Sequence, residues 1–228
     1  MQNFSYDNKS PLLFYNDNPS SETGPKDAWS LVLFNPILYP LSYEAKLAIL
    51  PYVAKVKAQL SPKRFSHVCR VVALADAIAR RNHFSQDELA LTAQAAILHD
   101  IAREFSAEEM YALIPPMLVE EYQCHLTLHG KAGRKLAEAW QVDDGIVLEA
   151  IEGHVFGVDL QDRVGMALYV ADVSEPGRGV NDDIRELAFN DLKAAYIQAV
   201  RCKVNYLKSK AKPVHPDTMR VYRDIEAL

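Results

Sequence analysis

The chain has 228 residues, with 25 basic against 30 acidic side chains, a formal net charge of −5 and an apolar fraction of 49%. These proportions exclude a disordered or collagen-like chain, and the length suits one catalytic-sized domain with its own core. The mild acidity excludes wholesale nucleic-acid binding, which needs a basic face to neutralise phosphates, but leaves room for a local basic pocket.

Residues 1–42 read as an N-terminal extension, partly disordered. Turn-forming runs such as Asn16 to Ser21 precede an apolar island, Trp29 to Leu41, that can dock on the domain. Lys9 is the one early positive charge and Leu12 to Tyr15 is too short for an apolar targeting core. Asn35, Pro36 and Pro40 interrupt the stretch Leu31 to Leu41, so it does not span a bilayer. The three cysteines, Cys69, Cys124 and Cys202, form no Cys-x-x-Cys pair and are expected to be buried thiols in a reducing compartment. Together these features place the protein in the cytoplasm, without a membrane or nucleic-acid partner.

From Tyr43 onward nearly every segment carries a helical period, and residues 43–228 are expected to form a single all-α domain. Helices are expected over Tyr43 to Leu60, Pro62 to Arg81, Ser85 to Ile101, Ala107 to Ile114, His129 to Trp140, Asp143 to Gly153, Arg163 to Ser174, Asp182 to Ala188, Asp191 to Lys210 and Pro216 to Ala227. Ser61 before Pro62 has the chemistry of an N-cap followed by a first-turn proline, and Ser85 with Glu88 that of a capping box. Arg201 to Lys212, rich in Lys and Arg, reads as a solvated helix ending favoured by the dipole.

Four of the seven histidines stand where an apolar residue belongs or close a helix that carries an apolar stripe. His67 shares a stripe with Val71, Leu74 and Ile78; His129 heads one through Ala132, Leu136 and Trp140; His154 closes another of Val147, Ala150 and Ile151; and His99 directly precedes Asp100. Asp100 falls on the face of Leu89, Ala93 and Ala96, while Asp172 lies four residues after Leu168. Burying one such group unpaired costs about 2 to 7 kcal/mol, and more for an ion, a penalty that a bound metal offsets. An imidazole and carboxylate set without thiolate suits iron, manganese or a catalytic zinc better than structural zinc.

The ordered series of His67, the pair His99-Asp100 and the later Asp172 resembles the HD superfamily of metal-dependent phosphohydrolases. Five segments narrow the resemblance to the bacterial YqeK family of symmetrical bis(5′-nucleosyl)-tetraphosphatases. They are Arg64-Phe65-Ser66-His67, Leu98-His99-Asp100-Ile101-Ala102-Arg103, Leu128-His129-Gly130, Ala171-Asp172 with Glu175-Pro176-Gly177-Arg178, and Pro213-Val214-His215-Pro216-Asp217-Thr218. Arg103 stands where that family usually has lysine, and Val155-Phe156 where it commonly has threonines.

The resemblance implies an HD-type helical bundle and a divalent transition metal, iron with manganese as the alternative, held by His67, His99, Asp100 and Asp172. It leaves open whether His129 and His154 complete a second ion site bridged by Asp100 or touch phosphates beside a single ion; Asp100, His129 and His154 are the catalytic candidates. The implied substrate is a dinucleoside polyphosphate such as diadenosine tetraphosphate, cut symmetrically into two ADP. Another nucleotide for the same chemistry and a nucleotide-binding regulator are the alternatives, and a homodimer is compatible with it. Candidate nucleotide contacts are Arg64, Arg103, His129, His154, Val155, Arg178, His215 and Thr218, with Lys131 as a weaker one.

Overall fold

The computed structural model describes residues 39–228, so the apolar island up to residue 38 and most of the N-terminal extension lie outside the described residues. Every regular element among the described residues is helical: α1 (Tyr43–Ile49), α2 (Val53–Gln59), α3 (Pro62–Arg81), α4 (Gln86–Leu98), α5 (Ala107–Leu113), α6 (Val119–Gln123), α7 (His129–Ala139), α8 (Gly145–Gly153), α9 (Arg163–Ser174), α10 (Asp182–Ala188), α11 (Leu192–Ser209) and α12 (Pro216–Glu226). Short 3₁₀ turns cover His125–Leu128 and Pro176–Arg178. None of these helices is long and apolar enough to cross a membrane.

Helix α9 is the axis of the bundle. Its residues Val164 to Ala171 are buried without a break, which fits a helix apolar on all sides, and it packs against α3, α4, α8, α10 and α11. Alanines at 75, 77 and 79 of α3 and at 93, 95 and 96 of α4 keep those two helices close, and α1 lies across α4. A smaller apolar cluster of Ala102, Met110, Leu128 and Ala132 fixes α5 and the 3₁₀ turn against the start of α7.

The caps read from the sequence are present. Ser61 Oγ accepts from Arg64 N at 3.3 Å ahead of Pro62, and Ser85 and Glu88 exchange the two bonds of a capping box at 3.2 and 2.7 Å. The expected helix Tyr43 to Leu60 is instead two, because Pro51 has no N–H to give the ladder and its ring clashes with the preceding turn. Helix α6, short and polar on most of its faces, had no apolar period to reveal it. Asp76, fully buried on α3, accepts from the Ser42 backbone N–H, the Ser42 hydroxyl and Arg80, and so anchors the chain as it enters α1.

The expectation of three buried thiols is corrected: Cys69 is buried in the core, whereas Cys124 and Cys202 are exposed. Cys124 lies between α6 and a 3₁₀ turn, and Cys202 on the outer side of α11, where no neighbouring helix covers them. Burial pushes the Cys69 thiol up to about 12, so it stays protonated.

Candidate metal centre

Six polar side chains meet where the ends of α4 and α8 and the start of α7 converge on the second turn of α3 and the last turn of α9. His67, His99, Asp100, His129 and His154 are buried, and Asp172 is partly so. In the first half of the site His67 Nε2 lies 3.0 Å from Asp172 Oδ1 and 3.6 Å from Asp100 Oδ2, while His99 Nε2 lies 3.4 Å from Asp100 Oδ2 and 3.8 Å from Asp172 Oδ1. In the second half the other oxygen, Asp100 Oδ1, faces His129 Nε2 at 3.4 Å and His154 Nε2 at 3.8 Å. The two imidazole nitrogens are 2.9 Å apart.

Local structure explains why those nitrogens point inward. His99 and His154 follow the last residue of α4 and α8, and His129 begins α7 after a 3₁₀ turn. At these ends the Nδ1–H of each ring donates to the carbonyl three residues earlier: His99 to Ala96 at 2.7 Å, His129 to Leu126 at 2.5 Å and His154 to Ile151 at 2.6 Å. Each tautomer is thereby fixed and Nε2 left as a lone-pair donor. Gly130 permits the close approach of α7 to the end of α8, since a Cβ there would fall 2.5 Å from the Glu152 carbonyl oxygen and 2.8 Å from Val155 Cγ2.

The residues present fit a metal ion. His67 Nε2 and His99 Nε2 are buried atoms without a hydrogen-bond partner, an arrangement that costs free energy unless a cation meets them. One nitrogen or oxygen atom from each of His67, His99 and Asp172 lies within 4.8 Å of the others, as does one from each of His99, Asp100 and His154. An ion with bonds of about 2.0 to 2.2 Å spans such groups. His129 and His154, whose Nδ1 atoms both face carbonyl oxygens, bring their Nε2 atoms 2.9 Å apart, an arrangement that a shared cation would favour.

Electrostatics agree. Burial works against the charged form of Asp100, yet His99 and His129 outweigh it and hold the carboxyl well below the usual range. Burial opposes ionisation of Asp172 as well, but Arg178, His67 and His99 hold it equally low. Burial, aided by His129 and His99, pushes His154 down to about 3, so this ring is neutral and able to ligate.

Around this centre the candidate nucleotide contacts are spread unevenly. Arg64 Nη1 donates to Asp100 Oδ2 at 3.0 Å, and Arg178 grips both the carboxylate and the backbone carbonyl of Asp172. Arg103 is partly buried and its guanidinium has no partner among the described residues. His215 stacks on the Phe156 ring with centroids 4.1 Å apart, and Thr218 is buried beside it in the first turn of α12. Lys131 pairs with Glu121 at 3.0 Å.

Two contributors escaped the sequence reading. Lys203, taken with its neighbours as part of a solvated helix ending, turns inward and donates to the Val155 carbonyl, beside His154. Burial brings its ammonium down to about 8, against the opposing pull of Asp172. Glu175 was visible only as a motif letter; it is buried and accepts from His67, Arg70 and Gly177. The apolar stripe around Lys203, with Val200 and Val204 buried on the same helix, was the available signal for the first. The side-chain partners of the second, His67 and Arg70, lie more than a hundred residues away in sequence.

A model of the HD domain matches residues 64–177, which contain all six side chains of the centre. The chain therefore belongs to the HD-domain family, and its bundle and His/Asp cluster are those of a metal-dependent phosphohydrolase. It is 34% identical over 180 residues to the symmetrical bis(5′-nucleosyl)-tetraphosphatase of Bacillus subtilis, covering 75% of this chain and 93% of that one. To the enzyme of the same name from Halalkalibacterium halodurans it is 29% identical over 177 residues, covering 75% and 92%. The crystal structure of a Clostridium acetobutylicum protein, described as a predicted HD superfamily hydrolase involved in NAD metabolism, superposes with a TM-score of 0.69 at 24% identity. That match covers 82% of this chain and 98% of the other, and shows the fold.

Proposed function

We propose that this protein hydrolyses dinucleoside tetraphosphates symmetrically, converting diadenosine tetraphosphate and water into two ADP. The observation that carries the substrate is the likeness to two symmetrical tetraphosphatases across more than nine-tenths of their length. The metal is assigned to His67, His99, Asp100 and Asp172, with iron preferred and manganese as the alternative for a nitrogen and oxygen donor set. A second ion between His129 and His154 is favoured over a single-ion site, because Asp100 turns one oxygen to each half of the cluster. When bound, such ions supply a water nucleophile acidified toward neutrality and a Lewis acid for the phosphoryl oxygens.

The chain's own side chains do the rest. Asp100 holds the two halves in register, and the rings of His129 and His154 border the reacting phosphate. Arg103, three residues after Asp100 and with no side-chain partner among the described residues, is assigned to the phosphate oxygens, and Arg64 and Lys203 add positive charge beside Asp100 and His154. His215 and Thr218, against Phe156, are assigned to the nucleoside end with Val155, and Arg178 to the phosphates only through its hold on Asp172. Water adds to one of the two central phosphorus atoms, the bond from that phosphorus to the bridging oxygen breaks, and each half leaves as ADP.

Chromatography of early time points with manganese- or iron-loaded protein tests this reading. ADP is expected as the sole initial nucleotide product. ATP and AMP in equal amounts would refute symmetrical cleavage, and turnover confined to mononucleotides or cyclic dinucleotides would replace the substrate.

A further inference from the structure

Three of the four imidazoles at the centre have their tautomer fixed by their own backbone. His99 and His154 stand at helix ends where the carbonyl three residues earlier accepts Nδ1–H, and the Nδ1–H of His129 shares the Leu126 carbonyl with the backbone N–H of His129 itself in the turn before α7. His67 cannot do this. It lies inside α3, where the neighbouring carbonyls already accept from the helix ladder. Without an acceptor for Nδ1–H the metal-free ring would place its proton on Nε2, which lies 3.0 Å from Asp172 Oδ1, and the Nε2–H form cannot ligate.

Glu175 is that outside acceptor. It is 1% exposed and follows the last turn of α9 by one residue, with one oxygen 3.0 Å from His67 Nδ1. The same carboxylate accepts from Arg70 Nε at 2.6 Å, Arg70 Nη2 at 3.1 Å and the Gly177 N–H at 2.6 Å. A carboxylate so placed only accepts, so His67 must donate through Nδ1. Glycine at 177 is part of the device, because a Cβ there would lie 2.5 Å from Arg70 Nε and displace the guanidinium that orients Glu175.

We propose that Glu175 is a positioning residue of the metal centre, which fixes His67 as the Nδ1–H tautomer and aims its Nε2 lone pair between Asp100 and Asp172. The inference rests on reading the cluster as a metal site and is independent of the substrate. Outer partners of this kind typically contribute 10- to 100-fold in metal affinity.

The experiment uses the full chain and manganese alone. Manganese affinity is measured by chelator competition, and the imidazole tautomers of the metal-free protein by long-range proton–nitrogen correlation. In Glu175→Gln the amide must turn its oxygen to Arg70 and Gly177 and its NH₂ to His67, so the His67 proton should move to Nε2. His99 and His154 should keep their Nδ1–H forms, and manganese affinity should fall by about 10- to 100-fold. Arg70→Met removes the ion pair but leaves the carboxylate on His67; it should lower the melting temperature yet retain the Nδ1–H form and an affinity within about threefold of wild type. Should Glu175→Gln not fold, Glu175→Asp, which keeps the charge but withdraws it from His67, must show mixed tautomers and weakened binding. Unchanged His67 tautomer and affinity in the Glu175 variant, or an equal loss in Arg70→Met, would overturn the proposal. Tight manganese binding by a wild-type protein inert toward diadenosine tetraphosphate would overturn the substrate and leave Glu175 in place. A wild type that binds no manganese would remove the metal reading, while the tautomer measurement would still decide the hold of Glu175 on His67.

Discussion

Arg103 and Arg178 follow the two ligand aspartates by three and six residues, and the sequence made them equivalent candidates for phosphate. Their surroundings separate them. Among the described residues Arg103 has no carboxylate or carbonyl partner, so its guanidinium is available to an anionic ligand at little cost to the fold. Arg178 is already bound twice to Asp172, and Asp172 depends on it for charge compensation. Arg103→Ala should therefore lower kcat/KM for the tetraphosphate by about 10- to 100-fold, the equivalent of one charge-assisted bond of roughly 1.5 to 3 kcal/mol. Its melting temperature should stay near wild type, as expected for a change of under about 0.5 kcal/mol. Arg178→Ala should instead destabilise the metal-free protein by about 1 to 2 kcal/mol, because it strips a largely buried carboxylate of its partner. Thermal melts beside steady-state kinetics distinguish the two; a silent Arg103→Ala in both would remove it from the substrate site.

At the scale of elements, the centre is built from helix termini more than from helix faces. Carbonyls at the ends of α4 and α8 and in the turn before α7 orient three of the rings, and the close approach of α7 to α8 sets the His129–His154 spacing. Gly130 is the point of nearest approach, and the atom a Cβ would meet there is a backbone oxygen that cannot swing aside. Gly130→Ala should push the helices apart and cost about 1 to 3 kcal/mol, as overpacking of a close contact usually does. For a chain of this size that is a fall in melting temperature of about 2 to 12 °C. Manganese binding in the second half of the centre should weaken in parallel. An alanine variant with wild-type melting and full metal content would show that α7 and α8 can slide without consequence.

Across the whole molecule, the candidate ligands join α3, α7 and α9 to the residues that end α4 and α8, so a bound ion adds to the apolar packing and to ion pairs such as Arg64–Asp100 and Arg134–Glu152 that already link these elements. A ligand that binds only the folded state stabilises it by mass action, about 2.7 kcal/mol at a hundred times its dissociation constant. Chelation should accordingly lower the melting temperature by about 5 to 11 °C, and manganese should restore it. His99→Ala and Asp100→Ala should melt alike with and without chelator, since each removes a ligand. A chelator-dependent shift as large in those variants as in wild type would place the ion elsewhere.

The sequence by itself determined the all-α class, the caps at Ser61 and Ser85, and the six polar residues of the centre, because helical period and capping are local physics repeated every turn. Even locally it erred where a rule was available, as at Pro51, which divides α1 from α2. Tertiary structure alone decided what those six residues meet. It brought Glu175 to His67 across 108 positions, turned Lys203 inward to the carbonyl of Val155, set Arg178 on Asp172 and left Arg103 free. Such contacts depend on how helices cross and which side chains then share a pocket. No period or spacing along one element encodes them, since Glu175 and Lys203 meet partners from other parts of the chain, and Arg178, six residues from Asp172, reaches it through the turn that follows α9.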